Sequence, residues 1–212
     1  MNRINVWGTP ITEDKEMIPS VVYEFPEIVR KRIERLIPAK ARQQSILGWL
    51  LLKRMLGPEW NALSKKISFS PYGKPFFSAS EFSFNISHSG CFVVCALSAD
   101  NLPLGIDTEK KKKANPHIVK KCYTFEEQAE MSGNEDPDHL FTTIWTRKES
   151  IGKLLGKGIL FTLQEVKTTP CLARYKTKEF YLYSPFGEKD KSQVTTLAAT
   201  TKSEINSKII EL

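Results

Sequence analysis

Phe82-Ser83-Phe84-Asn85-Ile86, Cys91-Phe92-Val93-Val94-Cys95-Ala96-Leu97-Ser98 and Leu104-Gly105-Ile106-Asp107-Thr108-Glu109 follow one another in the middle of the chain. Each is short, rich in aromatic and aliphatic residues and bounded by small or polar ones, so each reads as a β-strand. Ser87-His88-Ser89-Gly90, between the first two, reads as a polar turn. Just upstream, Ile67–Ser70 reads as another strand and Pro71-Tyr72-Gly73-Lys74-Pro75 as a turn. No regular helical crossover separates these strands, so mainly antiparallel pairing is expected.

On either side the periodicity changes to that of helices. After Pro26, apolar Ile28, Val29, Ile33, Leu36 and Ile37 alternate with Arg30, Lys31, Arg32 and Arg35, and Pro38 closes the pattern. A second helix is expected from about Lys40 to Leu56, stopped by Gly57-Pro58, and a short one at Trp60–Lys66. Residues 1–25 are mixed, with Val21-Val22-Tyr23 as a candidate strand. Further on, helices are expected at Pro116–Cys122, Thr124–Met131 and Pro137–Leu155. Strands are expected from Phe161 onward, at Glu165–Thr168, Glu179–Ser184 and Gln193–Thr200. The fold class is therefore α+β.

Composition narrows the function classes. The 212 residues are 41% apolar and 26% charged, which fits a folded domain rather than a disordered chain. Lys+Arg number 31 against 24 Asp+Glu, a net charge of +7. Such a surface suits an acidic partner: nucleic acid, anionic lipid, a phosphorylated small molecule or an acidic protein. No run of about 18 uncharged apolar residues is present, and the N-terminus has no secretory pattern, so neither a membrane span nor export is expected. Four cysteines without a CxxC pair argue against zinc and a disulfide framework and fit a reducing, cytoplasmic setting.

Three constellations carry chemistry. On a strand, Asp107 and Glu109 project to the same side about 7 Å apart. Like charges so placed repel unless a cation lies between them, and Mg²⁺ suits all-oxygen ligands. On a helix, Trp145, Glu149, Gly152, Lys153 and Gly156 share one face. Glu149 there could complete a metal site or act as a base, and Lys153 could meet a phosphate. In Phe84-Asn85-Ile86-Ser87-His88-Ser89-Gly90, hydroxyls and backbone N–H groups could seat a phosphate. A Ser-His nucleophile pair is disfavoured, because neighbouring strand residues point to opposite faces. Each pattern alone has an ordinary structural reading: solvated acids, a surface Glu–Lys pair, a histidine at a turn. The basic runs at Arg30–Arg42 and Lys110–Lys121 come without a nucleic-acid-binding signature.

Together, Tyr72-Gly73-Lys74-Pro75, Phe84-Asn85-Ile86-Ser87-His88-Ser89, Gly105-Ile106-Asp107-Thr108-Glu109 and Trp145-x-x-Lys148-Glu149-Ser150-x-x-Lys153 resemble the 4′-phosphopantetheinyl transferases of the Sfp (surfactin-synthetase-activating) type. The resemblance covers residues 72–153 in order, and the ends of the chain match loosely. It implies two pseudo-twofold-related α+β halves, residues 1–102 and 103–212, each with a long helix on a small antiparallel sheet and the active site in the cleft between them. It also implies transfer of the phosphopantetheine arm of coenzyme A to a serine of an acidic acyl or peptidyl carrier protein, with release of adenosine 3′,5′-bisphosphate.

In that family pattern Asp107, Glu109 and Glu149 hold Mg²⁺, or alternatively Mn²⁺. Glu149, or a metal-bound water, takes the serine proton, and Lys153 stabilises the pyrophosphate. Ser87, His88, Lys74, Arg32 and Ser45 match coenzyme A contacts. Gln44 departs from the pattern, in which a basic residue often precedes the hydroxyl at position 45; Lys31, Arg35 or Arg42 could substitute. The length points to the monomeric branch. Lys110–Lys121, with Ile118, Val119, Cys122 and Tyr123, is expected to face the carrier protein. The competing classes are a catalytically silent binding protein of the same fold and a nucleic-acid-binding module.

Overall fold

The computed structural model describes residues 2–11, 19–157, 163–187 and 191–212. Four strands, β1 (Asn2–Pro10), β4 (Ser83–Ser89), β5 (Phe92–Ser98) and β11 (Ser203–Ile209), form a sheet in the order β11-β1-β5-β4. A second sheet runs β6-β10-β9-β8-β7, from β6 (Leu104–Lys110), β7 (Val166–Thr168), β8 (Leu172–Tyr175), β9 (Lys178–Tyr183) and β10 (Gln193–Ala199). A small hairpin joins β2 (Ile67–Phe69) to β3 (Pro75–Phe77). Pairing is antiparallel except between β1 and β11, which run parallel. The expected α+β class and mainly antiparallel pairing are thus present. The boundary expected at residue 102 falls just before β6, and β11 crosses back to pair with β1.

The apolar run of β5 has a simple cause: both of its faces are buried. Val93, Cys95 and Leu97 meet Leu47, Leu51 and Leu52 of α2 (Ala39–Leu56). Val94 and Ala96 meet Ile4, Val6, Leu104, Ile106 and Leu197 in a layer between the two sheets. Each fully buried Leu or Ile contributes roughly 1.5–3 kcal/mol relative to exposure. On the far side of the second sheet, Ile151 and Leu154 of α6 (Pro137–Leu155) pack with Val166, Phe180, Leu182 and Ala198. Helix, sheet, sheet and helix therefore lie in sequence across the molecule.

Helix ends follow local chemistry. Asp136 caps α6, accepting from the His139 N–H at 3.0 Å with Pro137 at the first turn, and Gly156 ends it at φ +66°. α5 (Phe125–Ser132) begins with a Thr124/Glu127 capping box. α1 (Glu27–Glu34), α3 (Trp60–Leu63) and α4 (Pro116–Cys122) also lie where helices are expected, and Gly57 ends α2 at φ +52°.

Several expectations are corrected. Val21-Val22-Tyr23 belongs to a 3₁₀ turn, Pro19–Glu24, not a strand. Ser87-His88-Ser89 is not a turn; β4 continues through Ser89 and the reversal is at Gly90-Cys91. The mixed N-terminus holds β1, and β3, β8 and β11 are additional strands. The start at Phe161 lies outside the described residues. Among the described residues, no helix is long and apolar enough to cross a membrane.

Candidate active site

Gly105 sets the geometry. A Cβ there would lie 2.1 Å from the Ser150 carbonyl oxygen and 2.4 Å from the Leu154 nitrogen, so α6 rests its backbone directly on β6. Strand alternation then turns Asp107 and Glu109 to the same α6-facing side. The close approach brings Lys153 within 2.6 Å of Asp107 Oδ1. Lys153 Nζ also donates to Ser87 Oγ at 2.7 Å, and that hydroxyl donates to Asp107 Oδ1 at 3.0 Å. Asp107 is buried, and its second oxygen, Oδ2, is buried with no hydrogen-bond partner among the described residues.

Glu109, further out on β6, accepts from Ser89 Oγ and pairs with Lys112 at 2.8 Å. Glu149 lines a cleft of about 360 Å³ together with Tyr72, Gly73, Lys74, Asn85, Gly152, Lys153 and Gly156. The expected single face of α6 thus holds for Glu149, Gly152, Lys153 and Gly156. Trp145 packs instead beside Tyr123 and Phe141. Lys74 reaches across this cleft, donating to the carbonyls of Leu104 at 3.1 Å and Leu154 at 3.4 Å. A cation at the C-terminal end of α6 is favoured by the helix dipole.

The electrostatics are those of crowded, poorly solvated charge. Burial raises the Asp107 carboxyl above its usual range, against the opposing pull of Lys153. Burial also raises Glu149, and the Asp107 and Glu109 carboxylates push it further. Lys74 is lowered to about 8, by burial and then by repulsion from Lys153. The three acids therefore sense one another. Among the described residues, however, no group of three or more His, Cys, Asp or Glu is gathered tightly enough to hold a metal ion. Lys153 pairs with Asp107 at 2.6 Å and Lys112 with Glu109 at 2.8 Å. The donor set is nonetheless all oxygen, and Asp107 Oδ2 is an unpaired buried donor atom, so these residues fit a hard divalent cation.

The other expected residues are distributed unevenly. Arg32 stacks over the Phe69 ring at 4.1 Å and lies against Gly73, at the edge of the cleft. Ser87 is buried beside Asp107, whereas His88 is on the opposite face of β4 and exposed. Partial desolvation and Lys153 lower the His88 imidazole. Ser45 is half-buried on α2, and neither it nor His88 lines the cleft. Gln44, where the family pattern often has a base, is buried and donates to the Gly90 carbonyl at 3.0 Å, bracing the β4–β5 turn.

The basic segment differs from expectation in its apolar half. Ile118, Val119 and Cys122 pack against the cluster of Tyr123, Met131, Leu140, Phe141 and Ile144, and Tyr123 is wholly buried. Tyr123 therefore belongs to the core, and Ile118, Val119 and Cys122 are half-buried against it. Phe125, 89% exposed, is the outward aromatic here. Lys111 pairs with Asp136 at 2.7 Å and Lys112 with Glu109, while Lys113, Lys120 and Lys121 are exposed.

Three features escape sequence reasoning. Asn85 and Ser89 contact β6, and their period-2 spacing with Ser87 was the available signal. Lys148, inside the same motif as Glu149, is completely buried and pairs with Glu127 at 2.8 Å.

Comparison with known proteins identifies a family. The family model described as the 4′-phosphopantetheinyl transferase superfamily matches residues 103–199. The 4′-phosphopantetheinyl transferase gsp of Aneurinibacillus migulanus is 32% identical over 161 residues, 71% of this chain and 67% of that protein. The 4′-phosphopantetheinyl transferase Sfp of Bacillus subtilis is 31% identical over 139 residues, 63% of this chain and 61% of the relative. The L-aminoadipate-semialdehyde dehydrogenase-phosphopantetheinyl transferase of Homo sapiens is 27% identical over 180 residues, 76% of this chain and 57% of the relative. The chain thus spans about 61% of the length of the Bacillus subtilis relative it matches. With its acids on β6 and α6 and its lysines at one cleft, the chain belongs to the 4′-phosphopantetheinyl transferase family of Sfp type.

Proposed function

We propose that this chain transfers the 4′-phosphopantetheine arm of coenzyme A to a serine hydroxyl of an acyl or peptidyl carrier protein. The serine oxygen forms a bond to the β-phosphorus, the bond to the bridging pyrophosphate oxygen breaks, and adenosine 3′,5′-bisphosphate leaves with that oxygen. The observation that carries this reading is Asp107, whose Oδ1 meets Lys153 while its Oδ2 is buried and unpaired among the described residues, beside a cleft that Lys153 and Glu149 line. Asp107, Glu109 and Glu149 would hold Mg²⁺, or Mn²⁺ in its place, which supplies charge neutralisation at the pyrophosphate. Lys153 and Lys74 present cations to the phosphates, where positioning and electrostatics supply most of the catalysis. Glu149, or a metal-bound water beside it, would receive the serine proton.

The two expected halves, residues 1–102 and 103–212, meet at β4 and β6 in this reading, with the cleft between the Tyr72–Pro75 turn and α6. One chain carries all three carboxylates and Lys153, which supports a monomer. Coenzyme A as substrate fits a cytoplasmic setting. Exposed Lys113, Lys120 and Lys121 with Phe125 form a surface suited to an acidic carrier protein.

Incubating the chain with a fluorescent coenzyme A analogue and an acyl or peptidyl carrier protein tests the reading. The expected result is Mg²⁺-dependent labelling of the carrier serine, abolished by chelation. Absence of labelling with coenzyme A still bound would indicate a silent binding protein. Steeply salt-dependent DNA affinity without labelling would indicate a nucleic-acid module.

A further inference from the structure

β4 and β6 are each the edge of their own sheet, and side chains rather than main chain bridge them. The Ile106 N–H donates to Asn85 Oδ1 at 2.8 Å, the Thr108 N–H to Ser87 Oγ at 3.3 Å, and the Lys110 N–H to Ser89 Oγ at 3.2 Å. Three alternate residues of one strand thus satisfy three alternate N–H groups of the other, a ladder whose rungs are side chains. The remaining face of β4 is apolar where it meets α2, through Phe84 and Ile86. Alternation therefore assigns one side of β4 to packing and the other to these rungs.

Each serine does a second thing. Ser87 donates to Asp107 Oδ1 and Ser89 donates to Glu109 Oε2, in each case the carboxylate one residue before the N–H it accepts. The two rungs are not equivalent. Ser87 also accepts from Lys153, filling the one donor and two acceptor places of a hydroxyl, and Asp107 is buried whatever else happens. Among the described residues, the partners of Glu109 are Ser89 and the half-exposed Lys112, on its two separate oxygens. A cation that displaced Lys112 would leave Ser89 as the hydrogen-bond partner still fixing the longer glutamate side chain.

We infer that Ser89 is a positioning residue, its hydroxyl anchored on the Lys110 N–H and holding Glu109 in place to join Asp107 on a divalent cation, with Asn85 setting the strand register. This inference rests on the reading of Asp107, Glu109 and Glu149 as cation ligands. Hydrogen-bond partners that orient metal ligands affect affinity by roughly 10–100-fold.

The test is direct titration of the chain with Mn²⁺, followed by the electron paramagnetic resonance signal of free Mn²⁺, on the parent, Ser89→Ala and Ser89→Thr. Ser89→Ala is expected to weaken Mn²⁺ binding about 10–100-fold. The Mg²⁺ concentration for half-maximal labelling should rise with it, while KM for coenzyme A and the melting temperature stay near the parent's. Ser89→Thr, which keeps the hydroxyl and suits a strand, is expected to restore most of the affinity. Parent-like Mn²⁺ binding by Ser89→Ala, or no recovery in Ser89→Thr, overturns the inference and leaves the cation reading standing. A parent chain that binds no Mn²⁺ overturns both.

Discussion

Lys148 and Lys153 stand five residues apart on the same helix, each paired with an acid, and they do opposite jobs. Lys148 is wholly buried. It meets Glu127 at 2.8 Å and the carbonyls of Leu163 and Val166 at 2.9 and 2.5 Å, which accounts for all three of its donors. Glu127 in turn accepts from the Thr124 and Thr168 N–H groups at 2.8 and 3.1 Å and from the Thr168 hydroxyl at 2.8 Å. This closed network ties α5, α6 and β7 together. Lys153 is partly exposed at the cleft, and its acid, Asp107, keeps one buried oxygen without a partner. A saturated buried pair holds architecture; an unsaturated one at a cleft is left ready for a ligand.

Three substitutions test that contrast, in order of expected effect. Lys148→Met should lower unfolding free energy by about 3–5 kcal/mol, since Glu127 is left buried without its counter-charge. Adding Glu127→Leu should recover much of the loss, which denaturant titration of the single and double variants would measure. Equal stability of parent and Lys148→Met would make the two lysines alike. Lys153→Ala should cost less stability than Lys148→Met, because Asp107 keeps the Ser87 hydroxyl and its burial already favours taking up a proton, and should lower kcat by roughly 10²-fold, the scale of losing one electrostatic contact to a reacting group. A large fall in stability with kcat preserved would reverse its assignment.

The smallest effect concerns Lys74. Its amine is lowered to about 8 when folded, below the 10.5 of a solvated lysine. Between those values the unfolded chain holds a proton that the folded chain has released, so folding gains stability as pH rises. The burial cost of Lys74 is full below about pH 8 and fades toward 10.5. Relative to the parent, Lys74→Met should be more stable near neutral pH, and the gap should narrow from pH 8 to 10. A gap that stays constant over that range would show Lys74 titrating as a solvated lysine.

The same contrast explains what could be read from sequence. Helices were legible because their ends are local: Pro38, Gly57-Pro58 and Asp136-Pro137 mark boundaries without reference to distant residues. β5 was legible because both its faces are buried. β1 was not, although Ile4, Val6 and Gly8 alternate, because its neighbours β5 and β11 lie far along the chain. Ser87-His88-Ser89 passed for a turn because polar residues seldom end a buried strand; their reason is β6, an edge that the local sequence does not announce. Asp107, Glu109, Glu149 and Lys153 stood out through motif spacing. Lys148 sits in the same motif, and only the fold of α5 against α6 separates it from Lys153.

The central claim is that Asp107, Glu109 and Glu149 share one divalent cation once Lys153 and Lys112 give way to it. Anomalous diffraction from crystals soaked with Mn²⁺ and coenzyme A tests it most directly. The account predicts one strong peak within coordinating distance of all three carboxylates, with Asp107 Oδ2 among its ligands. A peak that leaves Asp107 Oδ2 unliganded, or no peak at a site that binds coenzyme A, would contradict it.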